Sequence, residues 1–99
     1  MARVAVTEAA KRDLRRILTD LADRAGYRIA VRYAGEFKAT YHRLSDFPES
    51  GPPRPALGRN IRSAIVRPYI VIYEVGDDAA VTVLRVLHGK RNITRDIIR

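Results

Sequence analysis

Apolar side chains recur at Ala10, Leu14, Ile17, Leu18, Leu21 and Ala25, the spacing of one face of a helix. The pattern predicts a helix over residues 7–25, with Thr7 as its N-cap, Glu8 at the positive end of its dipole and Gly26 as the stop. Lys11, Arg12, Arg15, Arg16, Asp20 and Asp23 fall on the opposite side and read as a mixed, solvated surface. A second periodic stretch, residues 27–44, carries Ala30, Tyr33, Ala34, Phe37, Tyr41 and Leu44 on one side, so the two helices make a hairpin. Tyr33, Phe37 and Tyr41 read as core, and His42 falls on the polar side. Gly35 costs about 1 kcal/mol relative to Ala inside a helix, and either marks close helix packing or is a tolerated expense. Ahead of the hairpin, residues 3–6 alternate as a short strand.

The period then changes. Pro48, Pro52, Pro53 and Pro55 make residues 46–58 a connector, because proline removes backbone donors and fixes φ. Beyond it come three strand-like runs, Ile61–Val66, Tyr69–Val75 and residues 80–88, split by turn-forming Arg67-Pro68 and by residues 76–79. Asp77-Asp78 read as turn formers. Connections this short require antiparallel neighbours. Setting Val75 opposite Ala80 and Val66 opposite Tyr69 sorts the side chains into two faces. One face holds Ala64, Val66, Tyr69, Val71, Tyr73, Leu84 and Val86, with Arg62, Thr82 and His88. The other holds Ile61, Ile65, Ile70, Ile72, Val81, Val83 and Leu87, with Ser63, Glu74 and Arg85. Both are mostly apolar, at roughly 400 Å² each from the standard rise and strand spacing. The hairpin covers one. The other is either an open surface for a partner or is covered by the connector or the tail, residues 92–99, which adds at most a final half-turn of helix. The expected fold class is therefore α+β, a single domain with an N-terminal helical hairpin packed on one face of a small antiparallel sheet of three to four strands.

Composition narrows the function. A chain of 99 residues builds one core. It has no cysteine, which excludes disulfides and thiolate metal sites and fits a reducing cytoplasm. The N-terminus lacks the apolar stretch of a secretory signal, and no apolar run approaches the roughly 20 residues of a membrane span. A cytoplasmic protein with no membrane partner is expected. Lys and Arg number 19 against 11 acidic residues, for a net charge of +8, and the excess lies towards the C-terminal half. That balance suits nucleic acid or an acidic protein, or serves only solubility. No nucleophile triad, Gly-rich phosphate loop or metal-ligand spacing is present, so no cofactor and no metal are expected.

Three segments resemble the RelE/ParE toxin superfamily in order and spacing. They are residues 43–51 (Arg43-Leu44-Ser45-Asp46-Phe47-Pro48-Glu49-Ser50-Gly51), the Tyr-containing residues 67–75, and residues 83–91, ending His88-Gly89-Lys90-Arg91. The resemblance implies a toxin held inactive by a cognate antitoxin whose C-terminal segment wraps it. It also implies one of two chemistries. RelE-like members cut messenger RNA on the ribosome with a basic cluster and a late Tyr or His, whereas ParE-like members inhibit DNA gyrase without a demonstrated catalytic centre. Cutting RNA needs a proton acceptor, a proton donor and cations for the phosphate charge. Where the ribonucleases carry cations this chain resembles them with Ile61, Ser63 and Ile70, and Ile97, Ile98 and Arg99 stand where the late Tyr or His would be. Only Lys90-Arg91 remains of the cluster. The resemblance therefore implies a ParE-type gyrase inhibitor, in a hetero-oligomer with a ParD-like antitoxin and with no catalytic residue of its own. Arg85, His88, Lys90 and Arg91 are expected to meet the target, and Ile61, Ile65, Ile70, Ile72, Val83 and Arg85 the antitoxin. The alternatives are a ribosome-dependent messenger ribonuclease using His88 and Arg91, and a charge-driven nucleic-acid-binding module.

Overall fold

The structure, a computed structural model, describes residues 2–98. It runs β1 (Val4–Val6), α1 (Glu8–Ala25), α2 (Tyr27–Asp46), β2 (Ile61–Val66), β3 (Tyr69–Val75), β4 (Val81–His88) and a closing 3-10 turn (Arg95–Ile98). Thr7 starts α1 as the pattern predicts: its Oγ1 accepts from the Ala10 N–H at 3.1 Å and donates to the Leu84 carbonyl at 2.8 Å, fixing the helix start against β4. Gly26, at φ 97°, lets the chain reverse between the helices. Ala30, Phe37, Thr40 and Leu44 are the buried residues of α2, so Phe37 alone of the aromatic stripe is fully inside, with Tyr33 and Tyr41 packed at its margin. Nothing lies within 4 Å of the position a Cβ on Gly35 would take. That glycine is on an open face and marks no close packing.

The four strands form one sheet in the order β1-β4-β3-β2. β2, β3 and β4 are antiparallel, as their short turns require, but β1 runs parallel to β4, so the sheet is mixed rather than antiparallel throughout. Parallel neighbours need a long connection, and here nearly the whole chain lies between them. β3 sits in the middle with Val71, Ile72 and Tyr73 all at 0% exposure, apolar on both faces.

Val66 pairs with Tyr69 as expected, but Val75 pairs with Val81, one residue later than the turn composition suggested. A bulge then intervenes: Tyr73 pairs with Val83 and Ile72 with Arg85, leaving Leu84 extra. The two offsets add to a shift of two residues, which restores the face, so Arg85, Val86, Leu87 and His88 keep their expected faces, while Val81, Thr82, Val83 and Leu84 are inverted. Val81 and Val83 pack into the helix-side core, and Leu84 turns to the other face. Val83, expected on the open face, is at 0% exposure and is unavailable to an antitoxin there.

That second face is not open along its length. Leu57 of the connector and Ile93 and Ile98 of the tail pack with Ile61, Ile70, Ile72 and Leu84 as a second apolar cluster. The connector is held at its root by Tyr73, whose hydroxyl donates to the Pro48 carbonyl at 2.8 Å and accepts from the Gly51 N–H at 3.0 Å. It then runs along the edge of β2, where Arg54 donates to Ile61 O at 2.8 Å and Ser63 donates to Pro52 O at 3.1 Å. Proline suits such an edge because it has no N–H to leave unpaired.

Candidate binding surface at the exit of β4

The end of the sheet around His88 is built from the β2–β3 turn and the exit of β4. Gly89 donates its N–H to the Pro68 carbonyl at 2.8 Å, and Arg91 donates to His88 O at 3.0 Å, so the exit folds back on the turn. A Cβ on Gly89 would lie 3.0 Å from Pro68 O, which keeps this position small. Tyr69 forms the base of the exit, its ring 5.8 Å from those of Tyr33 and His88 and 5.9 Å from that of Phe37. Burial, with Tyr33 and Asp20 adding to it against the field of Arg24, pushes the Tyr69 phenol above its ordinary value, so it stays protonated at neutral pH. His88 Nδ1 accepts from the Lys90 N–H at 3.0 Å. With Nδ1 accepting, Nε2 is the ring nitrogen left to donate.

Two concave surfaces flank His88. One is a shallow groove of about 280 Å³ to which Ile65, Ile70, His88 and Lys90 all contribute. The other, of about 280 Å³, separates α1 from β4 and is lined by Arg16, Arg24, His88 and Arg91 among others. The structure thus brings together Ile65 and Ile70, expected to meet the antitoxin, with His88 and Lys90, expected to meet the target. Ile65 is 61% exposed and Ile70 half-buried. Ile61 and Ile72 are not available in the same way, because Leu57, Ile93 and Ile98 of the chain's own connector and tail pack over them.

Arg85 departs furthest from expectation. It reaches around the edge of β4, beyond the end of β1, where Nε and Nη2 donate to the two carboxylate oxygens of Asp13 at 2.7 and 2.9 Å. Nη1 donates to the Ile97 carbonyl. Asp13 also accepts from the Val86 N–H at 3.0 Å and is only 4% exposed. Arg85 is therefore committed to holding α1, β4 and the tail together. Burial pushes the Asp13 carboxyl up, but the Arg85 and Val86 hydrogen bonds and the fields of Arg85 and Arg16 together hold it below its ordinary value. Asp13 had no assigned role in the sequence. Its one signal is an acid at i+3 from Ala10, beside the apolar stripe.

His88 has no carboxylate hydrogen bond among the described residues, and Ile61 and Ser63, aligned with ribonuclease cations, are buried. Among the described residues no group of three or more His, Cys, Asp and Glu is placed to hold a metal ion, and no helix is long and apolar enough to cross a membrane.

A helical hairpin on a small mixed sheet, with a basic exit from the last strand, defines the RelE/ParE class of toxin folds. Residues 4–93 match the family described as ParE toxin of the type II toxin-antitoxin system parDE. The chain is 33% identical over 98 residues to Toxin ParE3 of Caulobacter vibrioides, covering 98% of this chain and 96% of that one. Among solved structures, it resembles a chain of the chromosomal ParDE system of P. aeruginosa with a TM-score of 0.74 at 20% identity, over 89% of this chain and 96% of that one. It also resembles a chain of the RelBE2 toxin-antitoxin complex of Mycobacterium tuberculosis, with a TM-score of 0.63 at 27% identity, over 88% and 96%. A double arginine-to-alanine mutant of E. coli toxin RelE in the free state shares the fold, with a TM-score of 0.62 at 19% identity, over 91% of this chain and 86% of that one. The chain belongs to the ParE family of toxins of type II toxin-antitoxin systems.

Proposed function

We propose that this toxin inhibits DNA gyrase through the exit of β4 and is neutralised in the cytoplasm by a ParD-like antitoxin that covers the same groove. The observation that carries the first half is the surface where RelE-like ribonucleases resemble this chain. Its cation positions hold Ile61 and Ser63, both buried beside the connector, and half-buried Ile70. No cationic cluster paired with a proton acceptor remains there to stabilise an RNA-cleaving transition state. Exposed His88, Lys90 and Arg91 are left as a contact surface for the target. What supports the second half is the sharing of one groove by Ile65, Ile70, His88 and Lys90. An antitoxin segment with apolar side chains on the isoleucines and acidic ones near Lys90 blocks the target site by occupying it, as a hetero-oligomer.

Induction of the toxin in cells tests the reading by two simultaneous measurements. Plasmid DNA is expected to lose negative supercoils while primer extension shows intact messenger RNA. Cuts at codon boundaries on unchanged plasmid topology would instead establish the ribonuclease.

A further inference from the structure

We propose that the cleft between α1 and the exit of β4 binds backbone phosphates of nucleic acid through Arg16, Arg24 and Arg91, with His88 and Tyr69 as further donors. The cleft, of about 280 Å³, draws its cations from two elements far apart in sequence. Arg16 and Arg24 are i and i+8 on one face of α1, and Arg91 follows β4. All three are exposed, and none takes part in an ion pair among the described residues. The cleft's two acids do not cancel them. Asp13 is already paired with Arg85, and Asp20 stands alone between Arg16 and Arg24 without pairing to either. Three guanidiniums against one free carboxylate favour an anion, and each guanidinium presents a planar fork that matches two phosphate oxygens.

Nucleic acid is favoured over an acidic protein by the cleft's aromatic residues. The exposed His88 ring is pinned by the Lys90 N–H and by its edge contact with Tyr69, so it offers a fixed flat surface for a base and an Nε2–H for a phosphate. Charged tracks interleaved with aromatic faces are how single strands are held without sequence preference. The inference deepens the gyrase reading by placing the DNA of the target complex in this cleft, but the binding itself is a property of the purified toxin.

The test uses the whole toxin with a fluorescent oligothymidylate of about 12 nucleotides, and separately a duplex of similar length. Affinity is measured by anisotropy between about 50 and 200 mM salt. Three phosphate contacts predict a log-log salt slope of roughly −2 on the single strand and roughly −3 on the duplex. The better substrate identifies the form of nucleic acid bound. Arg16→Ala with Arg24→Ala is expected to bring the slope to about −1, and the paired Arg→Lys variant to retain most of it. Arg12→Ala with Arg15→Ala removes the same charge from outside the cleft and is expected to leave the slope unchanged. Equal losses from the two alanine pairs would reduce the site to diffuse charge and overturn it. So would competition by a glutamate-rich peptide as effective as unlabelled DNA, or no binding at the lowest salt. Gyrase is absent from this assay, so its outcome is independent of whether gyrase is the target.

Discussion

Two residues hold separate elements of the fold together, and each has a measurable consequence. Asp13 satisfies Arg85 and a strand-edge N–H at once. Asp13→Asn leaves the guanidinium without its counter-charge in a largely enclosed site, and breaking such a pair costs about 3 kcal/mol. Urea unfolding at neutral pH is expected to show that loss. The pH dependence follows from the direction of the shift. The folded-state pKa of Asp13 lies below its unfolded value, ordinarily near 3.9, so its contribution is complete above that value and disappears as pH falls through the folded-state pKa. The Asn variant is expected to lack that part of the acid-induced decline. Gly51 is constrained sterically: a Cβ there would sit 2.1 Å from Ser63 O and 2.7 Å from the Tyr73 hydroxyl. Gly51→Ala is expected to destabilise by at least about 2 kcal/mol, read from the urea midpoint, because backbone must move to admit it.

At the level of elements, the connector is the part whose position decides what a partner can reach. Tyr73→Phe removes the hydroxyl that bridges Pro48 and Gly51 and leaves a buried N–H unpaired, which costs about 1–3 kcal/mol. Faster amide exchange at Gly51 and Ser63 than at β3 is the expected signature in that variant. The helices and strands were legible because each spans several periods of its own pattern. The first helix begins one residue, and the second ends two residues, from where the spacing placed them. The register of β4 was not legible. A turn longer by one residue and a bulge at Leu84 each flip the faces, and nothing in the alternation of valines reveals either. Coverage of the second face was equally hidden, since it depends on where Leu57, Ile93 and Ile98 land after long excursions. His88, Lys90 and Arg91 stood out as a basic exit in the sequence. Asp13, Arg16 and Arg24 did not, because their relation to β4 is created only by folding α1 against residues more than 60 positions away.

For the whole molecule, the proposed sharing of one groove by antitoxin and target predicts that the two compete rather than bind together. Ile65 is the most exposed isoleucine of the groove and contributes little to the core, so Ile65→Asp is expected to leave stability unchanged. The same change is expected to weaken antitoxin binding by about tenfold or more, about 1.4 kcal/mol, in a calorimetric titration. Purified components give the most direct test of the proposed gyrase inhibition. Supercoiling of relaxed plasmid by gyrase is followed as toxin is added, beside a Lys90→Ala, Arg91→Ala variant that retains the fold. Supercoiling is expected to fall and cleaved DNA to accumulate with the wild-type toxin, the variant to be markedly weaker, and prior addition of antitoxin to restore the reaction. Undiminished supercoiling at a large excess of active, antitoxin-binding toxin would contradict gyrase inhibition.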